Sequence, residues 1–197
     1  MKGQSRNWKT NYIKVLNMNK YLIDLALAFQ KVKIDFYSFE ALNNNGDYTQ
    51  EAENNFSSEI IRHFRNLIEE PINQIYYQSL VCHFDVNKQR FRMKPDIVLH
   101  NAPNNQLRQE FFCEVKIDSD AQLKDDLEKL LIAISSNLNF RYGIMLVANK
   151  SLENTLVSIR DFKKSEININ WEKLYLFHSI PNGNGTLSFS YLSFQNI

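Results

Sequence analysis

Residues 94–117 read KPDIVLHNAPNNQLRQEFFCEVKI, and the reading of this stretch decides the fold. Two apolar runs, Asp96 to His100 and Glu110 to Ile117, flank a polar loop at Asn101-Ala102-Pro103-Asn104-Asn105. Apolar runs bounded by turn residues read as strands. Along the second strand Phe111, Cys113, Val115 and Ile117 share one face, while Phe112, Glu114 and Lys116 share the other. Glu114 and Lys116 are then neighbours, about 7 Å apart along the strand. If Asp96 lies opposite Glu114 in an antiparallel hairpin, the midpoint falls at Asn105, inside the loop. Turn chemistry and carboxylate pairing thus agree on one register. Two facing carboxylates repel unless a cation sits between them, and oxygen ligands of this kind suit Mg2+. A lysine beside them completes a set suited to phosphodiester hydrolysis, where it positions a water or neutralises developing charge. The plain alternative is a surface hairpin with a solvated Glu114–Lys116 pair, which the apolar residues on both faces argue against.

Working outward, residues 12 to 31 carry Ile13, Leu16, Leu22, Leu25 and Phe29 roughly on one side and read as a helix. Asp47, with Gln50 three residues on, resembles a capping box opening a second helix that ends before Pro71. Leu80 to Asp85 reads as a strand. Gln122 to Ser136 is helical, with an apolar stripe of Leu123, Leu127, Leu130, Leu131 and Ile134. A buried strand follows at Tyr142 to Ala148, then a helix capped by Ser151 and ending in Lys163-Lys164, as the helix dipole favours. Late strands at Lys173 to Ile180 and Leu187 to Phe194 flank a turn at Asn182-Gly183-Asn184-Gly185. Intermixed helices and strands give an α/β (α+β) sandwich.

At Lys94-Pro95-Asp96-Ile97-Val98-Leu99-His100-Asn101 and Phe111-Phe112-Cys113-Glu114-Val115-Lys116 the chain resembles the PD-(D/E)xK nuclease superfamily. The resemblance covers roughly residues 50 to 150. It implies a restriction-endonuclease-like fold, a mixed central sheet flanked by helices, with a helix and then a buried strand after the lysine strand. It implies metal, Mg2+ or alternatively Mn2+, held by Asp96, Glu114 and the Val115 carbonyl, with Lys116 catalytic. It also implies a further glutamate on the first core helix. Glu53 shares the stripe of Phe56, Ile60, Phe64 and Leu67, which is odd for a structural residue and sensible for a site; Glu59, at the stripe's edge, is the second candidate. The expected organisation is one domain over 1–197: an N-terminal helical extension at 1–47, the motif-bearing core at 48–150, and a C-terminal helix and strands at 151–197.

Lys88, Arg90, Arg92 and Lys94 alternate with Phe91 and Met93, suggesting a basic strand face leading to the site, and Lys124 on the following helix is a further phosphate contact. Lys129, Arg62 and Arg65 read as solvated helix charges that would add to it. The four histidines are scattered and read as structural or surface residues. Cys82 and Cys113, inside apolar runs with no CxxC, read as buried thiols. No glycine-rich phosphate loop is present, which argues against an ATP-driven motor.

With 197 residues, 44% of them hydrophobic, the chain has enough material for a single substantial core. The N-terminus lacks the apolar stretch of a secretory signal, and no apolar run is long enough for a bilayer, so a soluble cytoplasmic protein without a membrane partner is expected. A net charge of +1 excludes a uniformly basic nucleic-acid wrapper, so any nucleic-acid contact must be local. The expected function is metal-dependent endo- or exonucleolytic hydrolysis of DNA, with RNA the lesser alternative and a homodimer among the arrangements the resemblance implies. The rival is a catalytically silent binding or assembly module of the same fold.

Overall fold

The computed structural model describes residues 19–37, 48–78, 80–84, 94–101, 109–117, 123–135, 138–166 and 169–197. Its elements are α1 (Lys20–Gln30), α2 (Tyr48–Ile68), a short α3 (Gln74–Tyr77), β1 (Leu80–Phe84), β2 (Ile97–Asn101), β3 (Gln109–Ile117), α4 (Leu123–Ser135), β4 (Tyr142–Ala148), α5 (Leu152–Ser165), β5 (Leu174–Pro181) and β6 (Leu187–Ser193). The strands form a six-stranded mixed sheet in the order of the chain. β1, β2 and β3 run antiparallel as a meander; β4 and β5 pair parallel to β3 and to each other; β6 returns antiparallel to β5. Parallel neighbours require a crossover, and α4 and α5 are those crossovers.

Each face of the sheet buries one side of every strand. Phe111, Cys113, Val115 and Ile117 join α1 and α2 in one core through Leu22, Leu25, Phe29, Phe56, Ile60 and Phe64. Phe112 joins the opposite core with Leu127, Leu130 and Ile134 of α4 and Ile159 and Phe162 of α5. Covered on both faces, the central strand β3 is buried from Glu110 to Ile117, which is why its sequence is nearly continuous in apolar residues. β6 lies at the edge, and its alternating serines mark the solvent side.

Local chemistry sets the element ends. Asn19 caps α1, its side chain accepting from the amides of Tyr21 and Leu22, so the described helix begins at Lys20; residues 12–18 of the expected helix lie outside the described residues. Asp47 does too. Ser151 caps α5 by accepting from the Asn154 amide. In the β5–β6 turn Gly185 has φ +77°, the Asn182 amide donates to the Thr186 carbonyl at 2.7 Å, and glycine relieves the left-handed strain. The short α3 after Pro71 had no counterpart in the sequence reading. Cys82 and Cys113 are buried and unbridged. Among the described residues no helix is long and apolar enough to cross a membrane.

Candidate active site

The β2–β3 pairing fixes the site. Ile97 faces Cys113, Val98 faces Phe112 and Leu99 faces Phe111, the register that sets Asp96 against Glu114. The Asp96 amide donates to the Cys113 carbonyl at 3.1 Å, and the Val115 amide donates to Asp96 Oδ2 at 2.7 Å. The second bond fixes the carboxylate at the end of the hairpin. In an extended strand the N–H and C=O of one residue leave on the same side. The Val115 carbonyl therefore also turns toward the Asp96 side.

Lys116 is 7% exposed and lies between two helices. Its Nζ is 2.9 Å from Asp126 Oδ2 on α4 and 3.3 Å from Glu53 Oε1 near the start of α2. Of the two helix glutamates, the structure brings Glu53 to the lysine. Glu59 accepts instead from Arg62 Nε at 2.8 Å and lies 3.1 Å from His63 Nε2, on the helix's own surface. Six residues past Glu53, at about 100° per residue, it projects from another side of α2.

Two participants escaped the sequence reading. Asp126 is 1% exposed and binds a lysine on each oxygen: Lys116 on Oδ2, and Lys129 on Oδ1 at 2.6 Å. Lys129, expected on a solvated helix face, also lies 3.5 Å from Glu114 Oε2, so it belongs to the site. The missed signal was periodicity. Asp126 falls three residues after Leu123 and four before Leu130, on the apolar stripe of α4, just as Glu53 falls on that of α2. A carboxylate on an inward stripe is costly without partners.

Arg62, Arg65 and Lys124 each have a partner outside this cluster. Lys94 is exposed, and Lys124 is exposed with Glu128 Oε1 at 3.9 Å. Arg62 is tied to Glu59, and Arg65 donates to the Cys82 carbonyl at 2.9 Å. Lys88, Arg90 and Arg92 lie outside the described residues. His178 is buried, its Nε2 2.7 Å from the Lys150 carbonyl oxygen, and belongs to the scaffold.

Glu53, Asp96, Glu114 and Asp126 against Lys116 and Lys129 leave the cluster two charges short of neutral when all are ionised. Burial raises the Glu53 carboxyl above its ordinary range, opposed by the Lys116 ammonium. Burial also pushes Asp96 up to about 6, held back by the Val115 N–H and reinforced by the Glu53 charge. Glu114 is driven well above the usual carboxylate range by burial and then by Asp96. Burial draws the Lys116 ammonium down, but its hydrogen bond and charge contact with Asp126, and then Glu53, outweigh this, so it stays a cation. Among the described residues no three His, Cys, Asp or Glu side chains form a ready metal cage. Two carboxylates and a backbone carbonyl are a smaller set, of the hard oxygen type that Mg2+ accepts while keeping its waters. Glu114 Oε1 is buried with no hydrogen-bond partner among the described residues, an orphaned acceptor that a cation would satisfy. The residues fit a divalent ion.

No protein-family model, curated protein or solved structure matches the chain.

Proposed function

We propose that the protein is a metal-dependent nuclease with a restriction-endonuclease-like fold, hydrolysing phosphodiester bonds in DNA. The observation that carries this reading is the half-buried Asp96 beside the buried Glu114 and Lys116, two charges short of neutral with their neighbours when all are ionised, in which Glu114 Oε1 is orphaned. The fold reading draws support from the mixed sheet flanked by helices and from the helix and then the buried strand that follow the lysine strand, the succession that the resemblance implies.

In this reading Asp96, Glu114 and the Val115 carbonyl hold the ion. When bound, Mg2+ supplies polarisation of the phosphate and a more acidic water. Lys116, kept protonated, gives a fixed positive charge for the attacking water or for the charge developing on the phosphate. Glu53 and Asp126 act through Lys116 as positioning residues, gripping the ammonium from two helices so that its long chain does not wander. The Val115 amide aims Asp96 in the same way.

The test is cleavage of single-stranded, duplex and branched DNA in Mg2+ or Mn2+, with Asp96→Ala as control. Metal-dependent cutting by the wild type, lost in the variant, is expected. Folded, metal-loaded wild type that cuts none of these, nor single-stranded or structured RNA, would overturn the nuclease reading.

A further inference from the structure

Asp126 carries two ammonium groups, one on each oxygen, and only one of them, Lys116, is itself part of the Glu-x-Lys tripeptide. The other, Lys129, sits 3.5 Å from Glu114 Oε2, beside the carboxylate expected to bind the ion. The two partners differ in exposure. Asp126 is fully enclosed, while the Lys129 side chain is about a third exposed (37%), so a fixed, buried anion holds a cation that solvent reaches. Hydrolytic sites that use two metal ions place the second a few ångströms from the first, against a shared carboxylate. Here the corresponding flank of Glu114 is taken by an ammonium tethered to α4. The charge count agrees. With both lysines in place the deficit is two, one divalent ion removes it, and a second would leave an equal excess.

We propose that Lys129, anchored by Asp126, is a built-in counter-ion on Glu114 that restricts the site to a single divalent cation. This deepens the metal-dependent reading and rests on it. Lys129 reaches the site from the partly exposed side of α4, so an uncharged side chain of similar length retains its packing. Removing the ammonium frees one oxygen of Asp126 and one side of Glu114, the carboxylate that would hold the ion.

Mn2+ alone serves as the probe, titrated into the full chain by calorimetry, with bound ions counted by electron paramagnetic resonance. The wild type is expected to take one ion. Lys129→Met is expected to take a second and to bind the first about tenfold tighter, since one positive neighbour a few ångströms away is gone. Lys129→Arg, which keeps the charge, is expected to take one ion at wild-type affinity. Two ions in the wild type overturn the inference and leave the metal site standing, and that count holds however the variants fold. One ion at unchanged affinity in Lys129→Met does the same. No Mn2+ bound by the wild type overturns the metal-dependent reading, and this inference with it.

Discussion

Beyond the catalytic role proposed for it, Lys116 is what makes Glu53 and Asp126 tolerable inside the fold of the metal-free protein. Removing one partner of a buried ionic group leaves an uncompensated charge, so Lys116→Ala is expected to lower unfolding free energy by about 2–4 kcal/mol, the lower part of the usual range because Lys129 still serves Asp126. On the proposed function, cleavage falls by about 10²–10³-fold or more, as for the loss of one preorganised charge. Urea unfolding of the two proteins checks the first statement; wild-type stability in the variant would mean that the carboxylates are already neutral. Asp96 provides the pH dependence. Its folded value of about 6 lies above the unfolded value near 3.9, so between these pH values the folded chain holds the extra proton. The metal-free protein therefore loses stability as pH rises through that window, and an incoming cation must displace the proton. Mg2+ affinity should climb about tenfold per pH unit from pH 5 toward 6. Glu114, whose carboxyl is also raised by burial and then by Asp96, adds to the rise in the same direction. Isothermal titration across pH 5–8 measures this, and an affinity flat between pH 5 and 6 would sink it.

At the scale of elements, the site depends on how closely α4 presses against β4, because α4 delivers both Asp126 and Lys129. Gly143 lies under both α4 and the Leu174 side chain of β5. A Cβ there would stand 2.6 Å from Leu174 Cδ2 and 3.4 Å from both Ile134 Cγ2 and Leu130 Cβ. Gly143→Ala is expected to cost about 1–3 kcal/mol by overpacking, and to reduce cleavage through the displaced helix. A melting curve within a degree of wild type would show that Leu174 gives way instead. The same elements show what the sequence could and could not declare. Strand periods and the Asn-rich loop sufficed to set Asp96 against Glu114, because a one-residue slip would have exchanged the two faces of β2 and separated the carboxylates. Six strands and the four longer helices fell near their expected places for the same reason. Asp126 was illegible as a site residue because a stripe is counted by its apolar members, and an acidic residue inside it reads as an interruption. Its meaning appears only when Lys116 arrives from a strand ten residues earlier. The choice between Glu53 and Glu59 was open for a related reason: their wheel positions differ clearly, but which side of α2 meets the end of β3 is a tertiary fact.

For the whole molecule, the balance of 23 basic against 22 acidic residues constrains how a polyanion would be held. Much of the cationic charge near the site is spent internally. Lys116 and Lys129 answer carboxylates, Arg62 is tied to Glu59, and Arg65 caps a strand carbonyl. Lys94, just before Pro95 and Asp96, and Lys124, one turn before Glu128 on α4, are exposed close in sequence to the motif. A duplex held through these two lysines alone would show a shallow salt dependence, because each neutralised phosphate contributes about 0.9 to the slope of log affinity against log salt. Measured on the Asp96→Ala protein, so that the DNA is not cut, Lys94→Ala and Lys124→Ala should each reduce that slope by about one and weaken binding alike for unrelated sequences. A slope left unchanged by both would move the DNA path away from Lys94 and Lys124. A steep slope of ten or so in the parent would mean that the molecule gathers a basic surface far larger than these two lysines supply.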